Sequence, residues 1–238
     1  MKAYYNEINS FCAEWLRNLM NSSLIVEGDI DTRKVQEIDP EDLVHYQQVH
    51  LFAGIGIWSH AARLAGIRDD LPIWTGSCPC QPFSTSGKQK GFDDERHLWP
   101  SFYRLVKARR PFLIFGEQVA SKLGEQWLET ITVDLDKEGY VVGSSILCAS
   151  AYGYPARKRI YFAAYSDRNS ERNGSLNAKM ASISKTKKLA SFSWRDLRRV
   201  GKACYGNRTK MGRLRAYGNS LNVPSASSFI QAAIQTMP

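Results

Sequence analysis

The sequence predicts an α/β fold: a mostly parallel sheet with helices on both faces and a small basic appendage. Three observations carry that expectation. Short apolar runs alternate with amphipathic stretches through the first 164 residues, as strands and covering helices do. A turn holding two glycines, Gly54 and Gly56, joins a strand-like run to a helix-like one. Positive charge then gathers in the last third of the chain, where apolar anchors are few.

In chain order, residues 3–8 read as a short strand, and residues 10–20 set Phe11, Trp15, Leu16 and Leu19 on one helical face. Residues 24–26 form a second strand candidate that Gly28 and Asp29 end. Residues 33–45 read as helix, and residues 48–52 as a third strand running into the glycine turn. A helix over 58–65, a strand over 72–75 and a loop over 76–94 follow. Next come a helix over 99–108, a buried strand over 112–115, a helix over 122–139, and strands over 140–147 and 159–164. From 165 to about 215 the composition turns to Ser, Asn, Lys and Arg, and apolar periodicity returns in a helix over 225–236. Three units result: a main domain over 1–167, a small basic region over 168–215, and a segment over 216–238 that returns to the main domain.

With 238 residues, 43% of them hydrophobic, the chain is long enough for a buried core. No apolar run approaches the roughly 20 residues that span a bilayer, and the N-terminus lacks a signal-peptide pattern, so a cytoplasmic, membrane-free protein is expected. Five scattered cysteines argue against a disulfide framework. The net charge of +9 divides unevenly: residues 151–238 hold 17 Lys and Arg against three acids, +14, leaving −5 for residues 1–150. An acidic body with a basic tail fits a polyanionic partner, nucleic acid being the simplest, although a solvated tail gives the same count.

Three short segments are candidates for chemistry. Gly76-Ser77-Cys78-Pro79-Cys80-Gln81 follows a predicted strand and so belongs at the carboxyl edge of the sheet, where α/β folds bind ligands. A cysteine there is a nucleophile if dipoles or cations favour its thiolate; otherwise it is a packed thiol or part of a metal site. A metal is disfavoured, because the Cys-x-Cys pair has no partner pair and the four histidines lack ligand spacing. Phe52-Ala53-Gly54-Ile55-Gly56 is either a tight structural turn or one that lets a cofactor approach backbone N–H groups. Gly116-Glu117-Gln118-Val119 follows the apolar strand, and Glu117 is either an acid with a raised pKa or one favoured by a helix dipole.

Taken together and in order, these segments resemble the DNA cytosine-5 methyltransferases. FAGIG resembles that family's cofactor turn, PCQ its nucleophile loop, and GEQV its Glu-Asn-Val motif with Gln118 in place of asparagine. Asp94 to Trp99 resembles the segment after the nucleophile loop. Arg157 and Arg159 resemble the arginines of a Gln-x-Arg-x-Arg motif, although Pro155 stands at the glutamine position. Gly218-Asn219-Ser220 resembles the C-terminal motif. The resemblance covers most of the chain outside about 168–212.

The resemblance implies a Rossmann-like methyltransferase sheet, S-adenosylmethionine as cofactor and double-stranded DNA as partner, with RNA cytosine as the alternative substrate and a non-catalytic DNA-binding homologue as the other class. It makes Cys80 the nucleophile, Glu117 the residue that binds the base, and Arg157 and Arg159 their partners. Cofactor contacts would come from Phe52, Gly54, Ile55, Gly56, Pro79, Leu98, Asn219 and Ser220. DNA contacts would come from Gln81, Ser84 and Lys88 in the loop and Arg195, Arg198, Arg199 and Lys202 in the basic region. No metal is expected.

One departure stands out: about 22 residues separate Gly56 from Pro79, where the family has two further strands bearing cofactor-binding acids. The N-terminus offers Asn6-Glu7-Ile8 and, after a helix, Gly28-Asp29-Ile30. The expectation is a circular permutation in which this unit precedes the glycine turn, Glu7 and Ile8 serving the ribose side and Asp29 and Ile30 the adenine. Parallel strands joined by helical crossovers permit such a relocation without altering the sheet.

Overall fold

A computed structural model of the chain describes residues 2–79, 98–166 and 221–236. Seven strands form one sheet in the order β2-β1-β3-β4-β5-β7-β6. They are β1 (Ala3–Asn6), β2 (Gly28–Asp31), β3 (Gln48–Leu51), β4 (Ile73–Gly76), β5 (Leu113–Val119), β6 (Tyr140–Cys148) and β7 (Lys158–Ser166). The first five pair in parallel; β7 runs antiparallel between β5 and β6. Among the described residues five α-helices accompany them: α1 (Ser10–Asn21), α2 (Ile57–Leu64), α3 (Trp99–Arg109), α4 (Lys122–Lys137) and α5 (Val223–Thr236).

Strand alternation divides the core into two layers. Ala3 and Tyr5, Leu113 and Phe115, and Tyr161 and Ala163 face α1, α2 and α5. Tyr4, Ile114, Phe162 and Ala164 face α3 and α4. Helices thus cover both faces, as expected. Phe115 and Phe162 are fully buried, each worth roughly 2–3 kcal/mol in transfer energy. Strand glycines make room for this packing: a Cβ on Gly116 would stand 2.1 Å from Phe162 Cε1, and one on Gly76 2.3 Å from Phe102 Cε1.

The N-terminal unit belongs to the sheet. β1 pairs in parallel with both β2 and β3, and Tyr5 Oη bonds to Val26 O (2.7 Å) and Ser59 Oγ (3.0 Å), tying β1 to α2. If β3 is counted first and β1 and β2 are placed after it, the order from the β2 edge reads third, second, first, fourth, fifth. That is the common order of Rossmann sheets, so the relocated unit sits where the permutation requires.

Three expectations are corrected. Residues 33–45 are not one helix but two 3-10 turns, Val35–Glu37 and Pro40–Leu43, because Pro40 lacks an N–H and Asp39 caps the second turn by accepting from Glu41 N–H at 2.9 Å. The second strand is not at 24–26: Leu24 N–H bonds to Leu19 O and Val26 N–H to Ser59 Oγ, so the ladder begins at Gly28. Gly28 fits there because a Cβ would lie 2.0 Å from Ala3 O. Finally, β5 does not end at Phe115; pairing with β7 carries it through Val119, so Glu117 and Gln118 lie on the strand.

Candidate active site

The carboxyl ends of β1, β3, β4 and β5 bring the predicted segments to one edge of the sheet. After β3 the chain turns through three left-handed residues, Phe52 (φ 53°), Gly54 (φ 55°) and Gly56 (φ 73°). Such a conformation costs a non-glycine residue of order 1 kcal/mol, and Phe52 is held in it beside Phe102, ring centroids 6.4 Å apart. The two glycines serve different ends. A Cβ on Gly56 would meet Leu16 Cδ2 at 2.9 Å, so this residue permits α1 and α2 to pack. A Cβ on Gly54 would meet nothing within 4 Å, so the backbone there borders open space.

Glu7 faces that opening. Its Oε2 accepts from Gly54 N–H at 2.7 Å and its Oε1 from Asn9 N–H at 2.8 Å, while burial pushes its carboxyl above the ordinary range. Ile8 beside it is 62% exposed, an apolar side chain at the carboxyl edge of the sheet. An acid that takes hydroxyl groups, an apolar surface that takes a flat ring, and a backbone free of Cβ form a cradle suited to a nucleoside. Among the other expected cofactor residues, Pro79 is half-buried after β4, Leu98 caps α3 while packing beneath it, and Ile55 turns its side chain into the core, leaving only its backbone at the turn.

Asp29 does not join this cradle. It is second on β2, and its carboxylate accepts from Tyr46 Oη (2.8 Å) and Lys2 Nζ (3.3 Å), residues that precede β3 and β1 at the amino end of the sheet. Ile30 packs against the core from the opposite face. The β2 acid near Glu7 is Asp31, whose backbone O accepts from Glu7 N–H (2.9 Å), but its carboxylate is taken up by Tyr4 and Arg33.

Across the edge, Glu117 lies on β5 with its side chain 12% exposed and Arg159 Nε 2.7 Å from its Oε1. The approach is off the line of a good hydrogen bond, so that oxygen keeps capacity for another donor. Burial raises the Glu117 carboxyl to about 7, against the opposing pull of Arg159 and Arg157. This acid is therefore poised to hold or release a proton near neutrality. The sequence signal was weaker than the geometry: only the resemblance linked Glu117 to two arginines some 40 residues away.

Ser77, Cys78 and Pro79 lead from β4 toward the predicted nucleophile. Cys78 is buried and its thiol is pushed well above the ordinary range, which leaves it protonated and unreactive. Cys80, Gln81, Ser84, Lys88, Arg195, Arg198, Arg199, Lys202, Asn219 and Ser220 lie outside the described residues. Sequence reasoning missed Trp58, which follows the glycine turn and donates its indole N–H to Ser77 Oγ at 2.9 Å. Its place directly after the turn was the available signal. Among the described residues no group of three or more potential ligands surrounds a metal position, and no helix is long and apolar enough to cross a membrane.

Comparison with known proteins bears on this geometry. The model of the C-5 cytosine-specific DNA methylase family matches residues 65–200. The Type II methyltransferase M.NgoMIV of Neisseria gonorrhoeae is 39% identical over 100 residues, 40% of this chain and 32% of that protein. M.HhaI of Haemophilus parahaemolyticus is 37% identical over 101 residues, 40% of this chain and 31% of its own length. The matched segments thus span about a third of those relatives. Among solved structures, a Spodoptera frugiperda DNMT2 mutant aligns with a TM-score of 0.42 and 15% identity, covering 71% of this chain and 51% of that one.

Proposed function

Since the chain belongs to the C-5 cytosine-specific DNA methylase family, we propose that it methylates carbon 5 of cytosine in DNA, with S-adenosylmethionine as donor and Cys80 as nucleophile. The observation that carries the reading furthest is Glu117: a largely enclosed acid whose carboxyl is raised to about 7, flanked by Arg159, on the same sheet edge as the Glu7–Gly54 cradle. A structural ion pair alone has no need of that edge.

The cradle fits the donor. Gly54 leaves backbone open to a ligand, Glu7 offers carboxylate oxygens to ribose hydroxyls, and Ile8 offers an apolar face to adenine. When bound, this group supplies an electrophilic methyl. In this reading the relocated β1-α1-β2 unit is a circular permutation that keeps Glu7 in place, while Asp29 is spared a cofactor role.

The chain's own residues then divide the work. Carbon 5 of cytosine is a poor nucleophile, so the Cys80 thiolate adds to carbon 6, forming a C–S bond and pushing electron density to carbon 5. Glu117, protonated in part at neutral pH, shares its proton with nitrogen 3 and so stabilises the adduct. Arg159 holds the Glu117 carboxyl in position. After methylation at carbon 5, the carbon 5 proton passes to solvent water, the nitrogen 3 proton returns to Glu117, and the double bond re-forms as the Cys80 thiolate is expelled. An intact duplex hides these atoms, so the base must leave the stack at a cost of a few kcal/mol. The basic region over 168–215, with 14 Lys and Arg against two acids, would supply phosphate contacts.

The test is transfer of tritiated methyl from S-adenosylmethionine to DNA, with matched RNA as a second substrate. Label at carbon 5 of DNA cytosine supports the reading. Label only in RNA, or none in either, overturns it.

A further inference from the structure

We infer that Trp58 is a positioning residue for the nucleophile: its indole N–H, bonded to Ser77 Oγ, ties the loop that carries Cys80 to the helix begun by the cofactor turn. The first support is the ring's confinement. Trp58 is 4% exposed, stacks on Phe115 of β5 (centroids 6.2 Å, planes at 22°) and meets Tyr161 of β7 edge-on (6.3 Å, 78°). Those two strands also carry Glu117 and Arg159, and the register sets Glu117 directly opposite Tyr161. The indole is therefore wedged against the strands of the base-binding acid, and its N–H direction is fixed by packing.

The second support is where the N–H goes. A buried indole needs an acceptor in any case, and many would serve. This one bonds at 2.9 Å to Ser77, the residue that follows β4 and precedes Cys80 by three. Trp58 is also the second residue of α2, whose N-cap is Gly56 of the left-handed turn. One side chain thus touches the cofactor helix, the base-binding strands and the root of the nucleophile loop.

A thiolate must meet carbon 6 in near-attack geometry, and displacement by about 1 Å costs up to about a hundredfold in rate. Removing the tether should therefore lower kcat while leaving cofactor binding alone, since neither Trp58 nor Ser77 forms the Glu7–Gly54 cradle.

The experiment compares Trp58→Phe, Ser77→Ala, the double variant and Ser77→Thr. The rate arm rests on the methyltransferase reading; a hydrogen-exchange arm, on peptides containing Gly76 through Pro79, does not. Expected are a fall in kcat of about tenfold or more in Trp58→Phe and in Ser77→Ala with KM for S-adenosylmethionine within about twofold, a double variant no worse than either of these, and retention of kcat in Ser77→Thr. Exchange in those peptides should rise equally in Trp58→Phe and Ser77→Ala. Independent, multiplying losses, a loss of kcat in Ser77→Thr, or exchange unchanged from wild type would overturn the proposal. If the wild type transfers no methyl, the functional reading falls and the exchange arm alone decides the tether.

Discussion

Replacing Glu117 by glutamine should remove a pH-dependent instability that the wild-type protein carries. The folded carboxyl titrates at about 7, against 4.5 for an ordinary glutamate, because burial outweighs the pull of Arg159 and Arg157. The sign follows from proton counting. Between those two values the folded state binds more protons than the unfolded chain, so stability falls as pH rises through the window. Integrating from pH 5 to pH 8 gives a loss of roughly 2–3 kcal/mol from this one group. For a chain of this size that corresponds to a Tm lower by roughly 5–10 °C. Glutamine keeps the shape and cannot ionise, and whatever packing cost it brings is common to both pH values and cancels in the comparison. Urea denaturation of wild type and Glu117→Gln at pH 5, 6, 7 and 8 measures the difference directly. The stability gap should move in favour of the variant by roughly 2–3 kcal/mol across that range. Parallel curves for the two proteins would mean that Glu117 is not held near neutrality, and the proton-sharing role would lose its basis.

Further outcomes follow from the same geometry. Glu7→Ala should weaken S-adenosylhomocysteine binding by about tenfold, whereas Asp29→Ala should leave it unchanged; isothermal calorimetry reads both. Gly54→Ala meets no neighbour and should cost only about 1 kcal/mol of stability through its positive φ, yet impair cofactor binding; Gly116→Ala collides with Phe162 and should cost about 1–3 kcal/mol or more, as thermal denaturation would show. DNA affinity should fall steeply with salt, and alanine at Arg195, Arg198, Arg199 and Lys202 together should flatten the dependence; titrations at several salt concentrations check it.

Much of the fold was legible because it rests on patterns that sequence carries locally. The Trp15, Leu16 and Leu19 face of α1, the apolar run of β5 and the glycine turn after β3 all lie where periodicity and turn chemistry set them. The failures are those of main-chain pairing. Leu24, Ile25 and Val26 are buried and strand-like, but their backbone groups bond to α1 and to Ser59, and the pairing falls instead to the polar Gly28–Asp31. That shift also moved Asp29: with the strand at Gly28–Asp31 rather than 24–26, it lies second on β2 and its carboxylate meets Lys2 and Tyr46 instead of the ligand edge. The Glu7–Gly54 contact joins residues 47 apart and became visible only through the inferred permutation. Local pattern contains nothing of the Trp58–Ser77 bond, which depends on how α2 crosses β4.

The central claim, that Cys80 attacks cytosine, is tested most directly by covalent trapping on DNA containing 5-fluorocytosine, where fluorine blocks the final elimination. In the presence of S-adenosylmethionine, wild type and Cys78→Ser should both form a denaturant-stable protein–DNA adduct, and Cys80→Ser should form none. An adduct that survives in Cys80→Ser and disappears in Cys78→Ser would contradict the assignment, and no adduct with any of the three proteins would contradict the mechanism itself.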